Sequence, residues 1–156
     1  MRKPLIVTAL ALALVFAVTS LADAAATRSD SSGRTAKYFD SGIGAIDEGD
    51  YEEAIELLKR VVKKEKKNAD AYSMLGFSYR KLGDYDNAFR YYKKALKIDP
   101  DHMGANEYIG EAYVETGDIA KAEEHLTVLA RLCPGGCEEY DDLAEALAAY
   151  KAEHGG

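Results

Sequence analysis

The chain has 156 residues, no tryptophan, 11 tyrosines and a formal net charge of -7. An acidic balance argues against nucleic acid as a partner, because affinity for a phosphate backbone comes from basic residues that release counterions. The charge is also uneven. Residues 25–98 hold 15 Lys and Arg against 12 Asp and Glu, whereas residues 99–156 hold 3 against 14. Such asymmetry bears on partners and association rates rather than on fold.

The chain opens "MRKPLIVTALALALVFAVTSLADA". A basic start at Arg2 and Lys3 precedes an apolar run from Leu5 to Leu21, and small residues follow at A-x-A spacing. This order predicts a secretory signal peptide over 1–24, cut after Ala24 or, in a second register, after Ala26. The run is near the lower length limit for a spanning helix. Its small-residue exit favours cleavage over a retained anchor, and no cysteine follows it to accept a lipid. The expected product is soluble and periplasmic, touching the membrane only through the signal peptide before its removal. Residues 25–34, including "TRSDSSGR", predict a polar, flexible leader.

The rest of the chain repeats. In "ADAYSMLGFSYRKLGDYDNAFRYYKKALKIDP", Tyr72, Leu75, Tyr79 and Leu82 fall at helical spacing. Gly83-Asp84 breaks that helix, and a second amphipathic run through Ala88, Tyr92 and Ala95 ends at Pro100. Shifted by 34 residues, Gly83-Asp84 falls on Gly49-Asp50 upstream and Gly117-Asp118 downstream. Ala88 falls on Ala54 and Ala122, and Gly76 on Gly42 and Gly110. The unit is a helical hairpin. Gly76 and Gly110 mark close helix approach, and each Gly-Asp pair ends one helix and caps the next. Hairpins of this kind must stack to cover their apolar faces.

The unit resembles the tetratricopeptide repeat. The positions that carry the resemblance are Tyr72, Leu75, Gly76, Tyr79, Ala88, Tyr92, Ala95 and Pro100. The flanking units are looser, with Ser41, Ala45 and Lys66 departing from the pattern in the first and Asn106 in the third. The resemblance implies an all-α solenoid of three repeats at 35–68, 69–102 and 103–136. A capping helix and tail follow at 137–156. In that segment Tyr140, Leu143, Ala144, Leu147 and Tyr150 form an apolar stripe, and acidic residues form the other side.

Cys133 and Cys137 flank "PGG", a turn between the last repeat and the capping helix. Three readings stand. In an oxidising compartment the favoured one is a disulfide that staples the capping helix, worth about 2 kcal/mol for so short a loop. A redox pair gains from Cys137 at a helix start but lacks C-x-x-C spacing. A metal site would need further ligands, and His102, His125 and His154 sit in no recognised spacing.

The sequence shows no nucleophile motif, no phosphate-binding loop and no paired metal ligands, so neither enzyme activity nor a cofactor is expected. The resemblance implies a concave groove that binds a segment of another protein. Its positions here are Phe39, Ile43, Ile46 and Asp47 in the first repeat, and Ser73, Phe77, Arg80 and Lys81 in the second. In the third they are Glu107, Glu111, Val114 and Glu115. The groove is expected to run from apolar through basic to acidic. Phe39 and Ile43 stand where the carboxylate-clamp subclass carries Lys and Asn, which makes a chaperone C-terminal carboxylate a poor ligand. The function expected is an adaptor or scaffold. The alternatives are a self-assembling homo-oligomer joined through basic and acidic ends, and a thiol or metal carrier using Cys133 and Cys137.

Overall fold

A computed structural model describes residues 19–155, with side-chain environments from 32 onward. The signal peptide expected over 1–24 therefore lies, for residues 1–18, outside the described residues. By its contacts the chain divides into Met1–Arg34 and Thr35–Gly156. The elements are α1 (Thr19–Glu48), α2 (Tyr51–Lys64), α3 (Ala69–Lys81), α4 (Tyr85–Ile98), α5 (Met103–Glu115), α6 (Ile119–Leu132) and α7 (Glu138–His154). All regular structure among the described residues is helical, as an all-α solenoid requires.

Residues 25–34, expected to be a flexible leader, are helical instead, because α1 begins at Thr19. Extending an existing helix costs little once its nucleus is fixed, so polar residues can follow a packed segment into helix. No helix among the described residues is long and apolar enough to cross a membrane.

Within Thr35–Gly156 the three Gly-Asp turns are copies of one another. Gly49, Gly83 and Gly117 have φ of 79°, 76° and 80°, a left-handed conformation in which a Cβ is strained. In each turn the following aspartate closes a backbone bond across it, from Asp50 to Ala45, Asp84 to Tyr79 and Asp118 to Tyr113. The same aspartates then accept from Glu53, Asn87 and Lys121 to cap α2, α4 and α6. α5 is capped differently. His102 Nδ1 accepts from the Ala105 amide at 3.1 Å. The ring proton is then left on Nε2, which donates to Asp70 at 3.0 Å.

The glycines of close approach do what their spacing predicts, with one change of partner. A Cβ on Gly76 would lie 2.4 Å from the Tyr92 ring, and one on Gly42 3.0 Å from Leu58. Each is pressed by the second helix of its own hairpin. A Cβ on Gly110 would instead meet Leu143 of α7 at 2.5 Å. The capping helix thus fills the third hairpin's closest slot.

The core has two parts. One gathers Ala54, Leu58, Leu75 and Tyr91, and the other gathers Tyr92, Ile109, Leu129, Leu143 and Leu147. Successive first helices touch, α3 against α5 and α5 against α7. Among the described residues no such contact joins α2 to α4 or α4 to α6. An array whose first helices converge while its second helices splay is concave on the first-helix side. That face carries the candidate site.

Candidate partner-binding face

The face is built by α3, α5 and α7. Phe77 of α3 is tilted against Tyr108 of α5, with ring centroids 5.0 Å apart, and meets Tyr51 of α2 edge-on at 6.4 Å. The exposed Lys81 places its Nζ 5.1 Å from the Phe77 centroid. This aromatic row is a firm apolar platform with a cation at one margin.

Arg80 is buried beneath it. One guanidinium nitrogen bonds Glu111 at 2.6 Å and Glu115 at 3.2 Å. Two carboxylates one helical turn apart on α5 thus grip a single arginine on α3. Burial lowers the Arg80 pKa, but the fields of Tyr92, Glu111 and Glu115 outweigh it and hold the pKa above its usual value. The groove was expected to pass from a basic to an acidic zone. In the structure those zones are joined: Arg80, Glu111 and Glu115 form one internal ion-pair cluster, and the free basic charge on this stretch is Lys81.

Glu107 is different. Only 8% of it is exposed, and it makes no hydrogen bond or ion pair. Burial first, then the charges of Glu111, Asp142 and Glu139, push its pKa up to about 8, while Arg80 pulls it down. Glu139 and Asp142 belong to α7 and make no ion pair either. Tyr108 lies in the same field, and burial followed by Glu107 and Glu111 raises its pKa.

The remaining sequence-predicted positions are placed as follows. Phe39 and Ile46 are partly buried against the first core. Ile43 is half-buried and Asp47 exposed. Ser73 and Val114 are buried and do not open on the face. Ser73 Oγ, Arg80 Nε and the Tyr92 hydroxyl are buried with no hydrogen-bond partner. Four members of the face were missed from sequence: Tyr51, Tyr108, Glu139 and Asp142. Docking of α7 as one more first helix, already implied by its apolar stripe, would have predicted the last two.

Cys133 and Cys137 are joined, with sulfurs 2.08 Å apart. The link sits two residues before Glu139, so it ties the end of α6 to the start of the helix that supplies half of the acidic group. No cluster of three or more His, Cys, Asp or Glu side chains among the described residues is arranged to hold a metal ion. A surface cleft of about 700 Å³ lies elsewhere, lined by Lys64, Lys66, Lys67, Asp70, Asp99 and His102. His102 and Asp70 are already bonded to each other there.

Stacked hairpins with a concave first-helix face define a helical-repeat solenoid. The family models agree on which one: the tetratricopeptide-repeat model matches residues 69–102, and a second model for the same repeat matches 46–83. Residues 46–102 are thus tetratricopeptide repeats. No curated protein matches the chain's sequence. Among solved structures it is similar to the second tetratricopeptide domain of human RPAP3, in complex with the HSP70 peptide SGPTIEEVD. That match has 24% identity, covers 74% of this chain and 97% of that one, and has a TM-score of 0.66. It is similar to the second such domain of Spaghetti (RPAP3) bound to the HSP90 peptide SRMEEVD, at 25% identity, 64% and 92% coverage and a TM-score of 0.60. It is also similar in fold to the Yersinia enterocolitica type III secretion translocator chaperone SycD. There the identity is 18%, the coverage 78% and 95%, and the TM-score 0.70.

Proposed function

We propose that the chain is an exported, periplasmic interaction scaffold with no catalytic activity of its own, which takes a segment of a partner protein along its concave face. One observation carries this reading. The face presents an aromatic platform, Phe77 tilted on Tyr108, beside carboxylates that the fold leaves unpaired. Its structural neighbours bind peptide segments or serve as a chaperone. The peptides held by the two RPAP3 domains, SGPTIEEVD and SRMEEVD, are acidic. Glu139 and Asp142 would repel such a ligand, so this chain's partner has other chemistry. Export rests on the residues of the N-terminal segment described above.

Cross-linking in the cell envelope, followed by identification of the captured protein, tests the reading. Reversing Glu111 would break its bond to Arg80, so the informative variants are the exposed Lys81→Glu and Asp142→Lys. The expected result is a dominant captured protein that either variant releases while the helical content is unchanged. Equal capture by both variants would move binding off this face.

A second reading is self-association through the basic and acidic ends. It is favoured by the exposed lysine run Lys63, Lys64, Lys66 and Lys67, none of which is held in an ion pair. A sedimentation profile that shifts to larger species at low salt is its expected mark, and one species at every salt concentration removes it.

A further inference from the structure

We infer that the α5–α7 end of the concave face is a receptor for one lysine or arginine side chain of the partner segment, with Glu107 at its centre and Glu139 and Asp142 as its rim. This deepens the scaffold reading and rests on it.

The first support is the carboxyl itself. Glu107 is more than nine-tenths buried and bonds nothing, its carboxyl oxygens keep an opening to solvent, and the charges of Glu111 on its own helix and of Glu139 and Asp142 on α7 act on it. A buried acid without a donor is costly and is ordinarily removed or paired. The fold does pair the neighbouring acids, giving Glu111 and Glu115 to Arg80. Both of those bonds fall on one guanidinium nitrogen, and none of the Arg80 nitrogens bonds Glu107.

The second support is the wall beside it. Tyr108 follows Glu107 in sequence, packs on Phe77 and shares the acidic field. A cation entering at Glu107 would gain a carboxylate near the edge of the Phe77–Tyr108 platform. An aromatic or aliphatic residue beside it in the segment would rest on Phe77. The chain's own lysine run does not fit this description. It contains Glu65 and no aromatic residue, and Glu65 already accepts from Asn68. A foreign segment is therefore the better occupant than a second copy.

The receptor is proton-linked. Unliganded Glu107 holds its proton near neutrality, and an incoming cation displaces it. Among the described residues, the groups that act on it come from three helices. Arg80 comes from α3, Tyr108 and Glu111 from α5, and Glu139 and Asp142 from α7, while Tyr92 of α4 and Glu115 of α5 lie in the field of Arg80 and Glu111. α6 brings His125, which bonds Asn106 rather than Glu107. Below the Glu107 midpoint, affinity should rise with pH by up to about tenfold per unit.

The experiment is selection of a displayed random dodecapeptide library on the full chain, followed by anisotropy titration of the selected peptides at pH 6 and pH 8. The proposal expects peptides with a Lys or Arg next to an aromatic or aliphatic residue, and tighter binding at pH 8. It expects Glu107→Gln to weaken them at least tenfold at pH 8 and to remove the pH dependence. The double variant Glu139→Gln, Asp142→Asn, at a half-buried and an exposed position, should weaken them severalfold, and it leaves Glu107 itself in place should Glu107→Gln fail to fold. Selected peptides without a basic residue, or unchanged affinity in both variants, would overturn the receptor and leave the scaffold reading standing. Selection of the chain's own 63–67 run, with self-association at low salt, would overturn it in favour of a second copy. No selected peptide of any kind would overturn the receptor and the scaffold reading together.

Discussion

Arg80 and Glu107 are buried ionisable residues on adjacent helices of one concave face, and the fold treats them in opposite ways. Arg80 is met by two carboxylates and its charge is spent inside the molecule. Glu107 is met by carboxylates of its own sign and by no donor. Burial of a charge alone therefore says little about function. Whether the fold supplies the partner separates a structural ion pair from a group that waits for something outside the chain.

The widest expected effect separates the two residues by pH. Folded Glu107 keeps its proton up to about 8, whereas the unfolded chain loses it near 4.5. Between those values the folded state binds more protons, so stability falls as pH rises, by on the order of 3–5 kcal/mol across the window. Urea midpoints at pH 5 and pH 8 should show this fall, and Glu107→Gln should flatten it. His125 acts with the other sign. Burial lowers its pKa, so its contribution is lost as pH falls below its ordinary 6.5. A stability profile unchanged by Glu107→Gln would mean that Glu107 is ionised at no cost.

Removing the other side of the comparison should cost about 2–3 kcal/mol. Arg80→Met leaves Glu111 and Glu115 facing each other, but both reach water, which keeps the loss at the low end for a broken buried pair. The same change takes away the one cation near Glu107, so the fall in stability from pH 5 to pH 8 should steepen. Calorimetry at the two pH values would detect both effects.

The Cys133–Cys137 link bears on the α7 half only. Replacing both cysteines by serine should lower stability by about 2 kcal/mol. Hydrogen exchange should quicken in α7 while α3 and α4 keep their protection. Equal loosening of all helices would deny the link its local role.

Tyr92→Phe is the smallest and has the unusual sign. The Tyr92 hydroxyl is buried with no partner, so deleting it should raise stability by about 0.5–1 kcal/mol. A loss measured in thermal unfolding would show that the hydroxyl has a hydrogen-bond partner after all.

Most of the architecture was legible because the repeat forces it. The Gly-Asp turns at Gly49, Gly83 and Gly117 need a left-handed glycine followed by a capping aspartate, and both are local properties of the chain. The close approach at Gly76 was equally plain, since a residue without Cβ at a fixed place in each hairpin has few other uses. Gly110 was legible only in part. Its partner, Leu143, comes from beyond the third hairpin and not from within it.

The face was read less well, for a physical reason. Repeat positions tell which helix side a residue lies on but not how neighbouring helices are offset. Phe77 meets Tyr108 and Arg80 meets Glu111 by the same register step between α3 and α5, and that step appears only once the hairpins are stacked. The acidic side of α7 is plain in the sequence, but only docking of α7 on α5 brings the charges of Glu139 and Asp142 to bear on Glu107. The helical leader at 25–34 was missed because its polar composition argues for disorder only when it is isolated from a packed helix.

The measurement that tests the central claim most directly is a side-chain carboxyl NMR titration of the full chain labelled with ¹³C at glutamate, with the Glu107 resonance assigned by comparison with Glu107→Gln. The account predicts a Glu107 midpoint near 8, falling when a lysine-bearing peptide is added. A midpoint in the ordinary carboxylate range near 4.5, indifferent to that peptide, would contradict it.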